Sequence, residues 1–239
     1  KPKGWVALAG FGLALTLVAL RQYVPELVEV SLGTPQGPSA DGLVIAQLSD
    51  LHLRDWRDLV KLDRALKLVE QAEPDAVVLT GDYVLGSPET LYRAVPHLKR
   101  LHAPLGVYAV LGNHDVWTDR EIVSDALRQS GIIVLDNDGR ELWHGQTALY
   151  LAGLDDGWSG TPDVSAALEA NTSGLPVAML LHEPDLGHEI VQEGGAWLLL
   201  AGHSHGGQVR LPGMGALVVP DYARRYQQGL YRVGDGWIY

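Results

Sequence analysis

Val107-Tyr108-Ala109-Val110-Leu111-Gly112-Asn113-His114-Asp115 reads as a strand that ends in a knot of polar side chains. Its apolar run is too short for a helix and fits a strand buried on both faces. The glycine lets the chain turn sharply as it leaves the sheet. The same pattern recurs along the chain. Leu43 to Leu48 leads into Ser49-Asp50-Leu51-His52, and Ala76 to Thr80 leads into Gly81-Asp82. Val177 to Leu181 leads into His182, and Trp197 to Ala201 into Gly202-His203-Ser204-His205. Polar residues at the ends of buried strands converge on one edge of a rigid sheet, where open α/β proteins place their sites.

The side chains so gathered are Asp50, His52, Asp82, Asn113, His182, His203 and His205. Carboxylate and imidazole suit Mn, Fe, Co, Ni or Zn, and the chain has no cysteine for a thiolate site. Two such ions about 4 Å apart can bind a phosphoryl oxygen and acidify a bridging water to hydroxide for in-line attack. A shared carboxylate keeps the ions close despite their repulsion, and Asp82 is the natural bridge. A lone Asp-X-His or Gly-Asp is common and means little. Gly-Asn-His-Asp and Gly-His-Ser-His are more specific, and all the motifs in order after apolar strands point to a real site.

From about Leu43 to the C-terminus these motifs resemble the calcineurin-like metallophosphoesterases. The resemblance implies an α/β fold, the four-layer αββα sandwich of that family, and two divalent metal ions, with Mn, Fe or Zn expected. It implies that Asp50, His52, Asp82 and His205 hold the first ion, and that Asp82, Asn113, His182 and His203 hold the second. It also implies that His114 is not a ligand but reaches the phosphate, stabilising charge or protonating the leaving oxygen. Asp115 is expected to hold that imidazole in its productive tautomer. The tail Gly206-Gly207-Gln208-Val209-Arg210-Leu211-Pro212, followed by Pro220, resembles a narrower bacterial, membrane-associated phosphodiesterase branch. Some relatives in it cleave the pyrophosphate of UDP-2,3-diacylglucosamine in lipid A synthesis. A better-known enzyme for that step has Arg at the motif histidine, whereas this chain has His114, which favours ordinary phosphoesterase chemistry without excluding the lipid.

With 239 residues and 46% hydrophobic content the chain can bury one substantial core. The motifs span Asp50 to His205, which reads as one catalytic domain over residues 43–239. A net charge of −11 and no basic stripe argue against a nucleic-acid partner. Divalent ions would offset that acidity locally for an anionic phosphate ester.

Gly4 to Leu20 is uncharged and mostly apolar, flanked by Lys1, Lys3 and Arg21. As a helix it would be about 25 Å long, near the lower limit for a bilayer. A membrane anchor, a signal peptide and a buried helix compete for residues 1–25. The lack of a small-X-small cleavage pattern favours the anchor, and glycines at 4, 10 and 12 weaken the buried helix. The expected location is a bacterial inner membrane. Lys1 and Lys3 against Glu26 and Glu29 lean toward an extracytoplasmic domain, whereas a lipid A precursor enzyme would work on the cytoplasmic side. Residues 26–42, rich in Gly and Pro from Ser31 on, read as a connector.

Arg57 to Ala72 carries Leu59, Leu62, Leu66 and Val69 at helical spacing and stops before Pro74. Leu91 to Leu101 and Asp119 to Gln129 are further helix candidates, and Ala148 to Ala152 is a further strand. Past Gln208 the pattern is strand-like at Gln208–Leu211, Ala216–Val219, Gly229–Val233 and Trp237–Tyr239. Trp56 and Trp117 lie close to metal motifs and are candidate substrate contacts, against the alternative of packing on the scaffold. Asp155 and Asp156 could orient metal ligands and Trp158 could cap the cleft, against the equal alternative of a solvated loop. Arg210, Arg224 and Arg225 could meet a diphosphate or headgroup, against the alternative of exposed surface charge, and only Arg210 is close in sequence to the motifs. His97, His102, His144 and His188 fit no ligand pattern.

The leading function is hydrolysis of a phosphodiester or pyrophosphate on a membrane-proximal or lipid-linked substrate. The rivals are a phosphomonoesterase on soluble substrates and a non-catalytic metal-binding scaffold. Oligomeric state has no marker.

Overall fold

A computed structural model describes residues 24–33, 42–207, 210–211, 215–216 and 218–239. The segment expected to be an anchor, up to residue 23, lies outside them. Among the described residues no helix is long and apolar enough to cross a membrane.

The strand-to-motif units build two sheets. β1 (Ile45–Leu48), β2 (Ala76–Thr80), β3 (Val107–Val110) and β4 (Ile133–Val134) form one sheet in that order, all parallel. The second contains β5 (Asp138–His144), β6 (Thr147–Gly153), β7 (Val177–Leu180), β8 (Leu198–Leu200), β11 (Tyr231–Val233) and β12 (Gly236–Ile238). Its order is β11-β12-β8-β7-β6-β5, parallel from β6 to β12 and closed by an antiparallel strand at either edge. β9 (Arg210–Leu211) and β10 (Gly215–Ala216) pair apart from both.

Alternation along the strands settles the layering, because successive side chains point to opposite faces. In β2, Val77 and Leu79 join the core under the helices, while Ala76 and Val78 join the core between the sheets. In β7, Ala178 and Leu180 face that same inter-sheet core, and Met179 faces outward to a third cluster. β6 divides in the same way, with Leu149 and Leu151 inward and Ala148, Tyr150 and Ala152 outward. Helices α1 (Trp56–Ala72), α2 (Glu89–Leu98) and α3 (Asn113–Gln129) cover the first sheet; the short α4 (Val164–Leu168) and α5 (His188–Gln192) cover the second. The result is the expected αββα sandwich.

α1 starts where the Asp55 carboxylate accepts the Arg57 N–H at 2.7 Å. It buries Leu62, Leu66 and Val69 and ends at Glu73, in a left-handed conformation just before Pro74. α3 begins at Asn113, six residues before the expected start at Asp119. Asp119 is the one non-helical residue inside it, and its carboxylate accepts the N–H groups of Glu121 and Ile122 at 3.1 Å each. That internal cap begins the second, longer stretch, which is the part the periodicity reveals.

Candidate metal centre

The ends of β1, β2, β3, β7 and β8 meet along the seam between the sheets, and side chains stitch that seam. Gln47 Nε2 donates to Thr80 Oγ1 at 3.0 Å and across the sheets to the Ala201 carbonyl at 2.8 Å. The His182 ring nitrogen Nδ1 meets the Thr80 carbonyl at 2.6 Å, and the His203 N–H donates to both oxygens of Asp50 at 3.1 Å.

The turns are unusual. Asp50, His52, Asp82, His203 and His205 all adopt positive φ, between 42° and 66°. For residues with a Cβ this region typically costs on the order of 1–3 kcal/mol and persists only where surrounding bonds enforce it. Here the Asp50 and His52 N–H groups donate to the carbonyls of Gly81 and Asp82, each at 3.0 Å. Of the three motif glycines expected to permit sharp turns, only Gly81 has a left-handed backbone (φ 96°). Gly112 and Gly202 serve another purpose: a Cβ on Gly112 would strike Asp82, and one on Gly202 would strike Ser49 and Asp50.

These turns gather two groups of ligand-type atoms, each within 4.8 Å of one another: Asp50, His52, Asp82 and His205, and Asp82, His182 and His203. Asp82 belongs to both. Its Oδ1 accepts the His114 N–H at 3.0 Å, while Oδ2 faces His52 Nε2 at 3.6 Å and His182 Nε2 at 3.1 Å. Asn113 is buried at the start of α3, next to that His114 N–H.

The hydrogen-bond pattern suits cations. A carbonyl can only accept, so Thr80 fixes the His182 proton on Nδ1 and leaves the Nε2 lone pair toward Asp82. That Nε2 has no aligned partner despite its 3.1 Å approach, and the buried Asn113 Oδ1 and His52 Nδ1 lack partners too. His203 Nε2 lies 2.8 Å from the Asp221 carbonyl, which frees Nδ1 in the same way. Buried acceptors facing one another need a proton or a metal ion between them. The same demand appears in the titration. Burial opposes charge on His182, but the Asp82 carboxylate outweighs it and raises its pKa well above the ordinary range. Asp82 falls to about 2, burial being overcome by His182. Burial, helped by the His205 and His114 rings, lowers His52 to about 4, so it is neutral and has a lone pair to give. His203 is lowered by burial and by His182. This donor set fits divalent ions.

Asp115 requires a correction. It was expected against the His114 imidazole, but its carboxylate is turned into the scaffold. It accepts the N–H groups of Asp82 and Tyr83 at 2.8 Å, Gly112 at 3.0 Å and Val84 at 3.3 Å. Burial and the Asp82 charge push it up to about 7 against the pull of those amides. Asp115 therefore holds the β2 and β3 turns together. The His114 imidazole is half-buried, with the His52 and Trp117 ring centroids 5.1 Å away.

The aromatic rings form a circuit that closes through Asp82. It runs His52, His114, Trp117, Trp158, His203, His182, with neighbouring centroids 5.0–5.6 Å apart, and returns through the Asp82 carboxylate. Tyr222 joins at Trp158, at 5.5 Å. Of the two candidate tryptophans, Trp117 is in this circuit and Trp56 is not; Trp56 is exposed beneath Arg57. The backbone of Arg210 lies in β9, and its side chain is outside the described residues. Arg224 pairs with Asp221 at 2.5 Å, and Arg225 lies over Tyr226.

Glu183, Asp185 and Tyr222 were not anticipated. Asp185 accepts the N–H groups of Arg224, Arg225 and Tyr226 at 2.8–3.1 Å, and so fixes the loop that carries Asp221 and Tyr222. Glu183 and Asp156 are fully buried, and each has one oxygen without a donor. Burial and the Asp156 carboxyl raise Glu183 to about 8. Their partners lie dozens of residues away, so only the acidic Asp155-Asp156 pair and the His182-Glu183-Pro184 string could have hinted at them.

The model of the calcineurin-like phosphoesterases matches residues 43–207. The chain is 32% identical over 242 residues to the uncharacterized metallophosphoesterase YkuE of Bacillus subtilis, covering 96% of this chain and 81% of that one. It is 34% identical over 196 residues to the phosphodiesterase YaeI of Escherichia coli (80% and 71% covered). To the UDP-2,3-diacylglucosamine pyrophosphatase LpxG of Chlamydia trachomatis it is 30% identical over 217 residues (72% and 66%). Among solved structures, TT1561 of Thermus thermophilus superposes with a TM-score of 0.55 at 17% identity, over 82% of this chain and 87% of that one, a likeness of fold. Motif order, sandwich and sequence matches agree: the chain belongs to the calcineurin-like phosphoesterases and is a metal-dependent phosphoric ester hydrolase.

Proposed function

We propose that this protein hydrolyses a phosphodiester or pyrophosphate bond with two divalent ions, held by Asp50, His52, Asp82 and His205 and by Asp82, Asn113, His182 and His203. The observation that carries this reading is the pair of ligand groups sharing Asp82, together with the buried, unpartnered His182 Nε2 and Asn113 Oδ1. When bound, two such ions supply positive charge to a phosphoryl group and a water acidified toward hydroxide near neutral pH.

The protein's own residues do the rest. The carbonyls of Thr80 and Asp221 hold the His182 and His203 rings in one tautomer and orientation. The His114 N–H holds Asp82 Oδ1, so that Oδ2 remains turned toward His52 and His182. The His114 imidazole has no hydrogen bond within the described residues and is the group placed to donate a proton to the leaving oxygen.

Diester or pyrophosphate specificity draws support from the names of the YaeI and LpxG relatives, a phosphodiesterase and a pyrophosphatase of a diacylated sugar nucleotide. A lipid-linked or membrane-proximal substrate, with the apolar segment before Arg21 as an anchor at a bacterial inner membrane, is the matching proposal for location. The test is hydrolysis of bis-p-nitrophenyl phosphate against p-nitrophenyl phosphate after chelation and readdition of Mn²⁺. Metal-restored diesterase activity supports the reading. Preference for the monoester replaces it with a phosphomonoesterase, and metal-independent turnover overturns the metal centre.

A further inference from the structure

We propose that Trp117 and Trp158 form a rigid wall that selects phosphoesters carrying an uncharged, apolar substituent beside the scissile phosphate. This rests on the phosphoesterase reading above and adds to it the chemistry of the group attached to phosphorus.

Position is the first argument. The two rings lie in the circuit that closes through Asp82, Trp117 against His114 and Trp158 against His203, so they adjoin both the group proposed to reach the leaving oxygen and a proposed metal ligand. Exposure is the second. A tryptophan that merely packs is mostly buried, but Trp117 remains 52% exposed and Trp158 37%, with Tyr222 beside them at 39%.

The third argument is that the loop holding them is fastened, not loose. Trp117 Nε1 donates to Ser159 Oγ at 2.7 Å, which satisfies its only polar atom and leaves apolar ring surface for a ligand. Around Trp158, Gly157 N–H donates to Glu183 at 2.9 Å, Ser159 N–H to Asp156 at 2.6 Å and Thr161 N–H to Asp155 at 2.8 Å. Asn137 accepts the Asp155 N–H at 3.0 Å and donates to the Thr161 carbonyl at 2.9 Å. A wall fixed before binding loses little freedom when a ligand arrives.

Charge is the fourth. Three described arginines close in sequence to residues of the circuit have carboxylate partners, Arg54 with Asp58, Arg120 with Asp155 and Arg224 with Asp221, while Arg225 lies over Tyr226. With these cations committed and a net charge of −11, a second anionic group on the substrate would find little there to meet it. An apolar group finds ring surface.

An aryl ring and an alkyl chain share this chemistry, and one experiment separates them. The metal-loaded full chain is given methyl, phenyl and octyl p-nitrophenyl phosphate, which release the same phenolate and differ only in the retained group. The wild type is expected to favour phenyl or octyl over methyl by about tenfold or more in kcat/KM. W158A and W117A are expected to collapse that ratio toward unity, and W158F to restore part of it. Preference for phenyl alone assigns an aryl ring, and for octyl alone an alkyl chain; both support the wall. Turnover without preference in the wild type overturns it, as does an equal loss on all three esters in the variants, which would mean a structural role. If no ester is cleaved, the phosphoesterase reading fails, and calorimetry with phenylphosphonate and methylphosphonate still decides the wall. A preference for phenylphosphonate that W158A loses upholds it, and equal binding overturns it.

Discussion

The two ligand groups that share Asp82 are held in different ways. In the group with His182 and His203 every member is buried, and each imidazole is pinned by a main-chain carbonyl. In the group with Asp50, His52 and His205 the side chains are 13–27% exposed. There the two rings stack, with their Nε2 atoms 3.0 Å apart and no carbonyl behind them among the described residues. The first group is organised by the scaffold before any ion arrives; the second leaves more of its geometry to be set by the ion. The lesson is that one carboxylate can join a prebuilt half-site to a looser one, and that the halves should lose their ions in a fixed order.

The largest way to break this contrast is to remove what the halves share. Asp82→Asn should abolish both metal affinities and lower activity well beyond the roughly 10–100-fold that changes behind a ligand cause. Metal analysis after dialysis and diester kinetics check this together. His114→Ala should leave the ion count intact and slow turnover about 10²–10⁴-fold, the range for acid–base assistance. Loss of metal in that variant would mean that His114 is instead part of a ligand group.

The contrast is sharpened by acting on one half from behind. Asp185→Ala frees the loop bearing Asp221, whose carbonyl orients His203. Metal affinity of the buried half should weaken about 10–100-fold, with the other half unchanged. A calorimetric metal titration reads the two separately, and equal weakening of both would refute this separation.

The smallest effect lies outside both halves. Asp58 accepts the backbone N–H and the guanidinium of Arg54, just beyond the His52 turn. Burial works against its charge, but these bonds outweigh burial and hold its pKa below the usual carboxylate value. The stability it contributes is therefore complete above the unfolded value, about 3.9, and is lost as pH falls through the folded one. Asp58→Asn should cost about 1 kcal/mol near neutrality, since Arg54 is half exposed, and should remove that acid-side dependence. Denaturant titrations across the acid range check both.

How much of this was legible depended on distance along the chain. The apolar runs that became β2, β3, β7 and β8 stand out because both faces of each strand are covered. β1 was also anticipated but is only half-buried, because it is an edge strand. β5 was missed: it is an edge of the second sheet and most of its residues stay at least partly exposed, so it looks like a loop. α4 and α5 have five residues each, too few for a period to show. Motif residues were readable because each closes its own strand. Asp115 was misread because adjacency to His114 suggested a partnership, whereas its partners at Asp82 and Tyr83 lie 33 and 32 residues away. Asp185 was invisible for the same reason, its amide donors lying 39–41 residues downstream.

The central claim is a two-ion centre bridged by Asp82, and ion stoichiometry tests it most directly. Stripped protein titrated with Mn²⁺ should take up two ions per chain in two steps, the tighter at the buried half. His205→Ala should retain only that tighter step. A single ion in the wild type, or two ions undiminished in Asp82→Asn, would contradict the account.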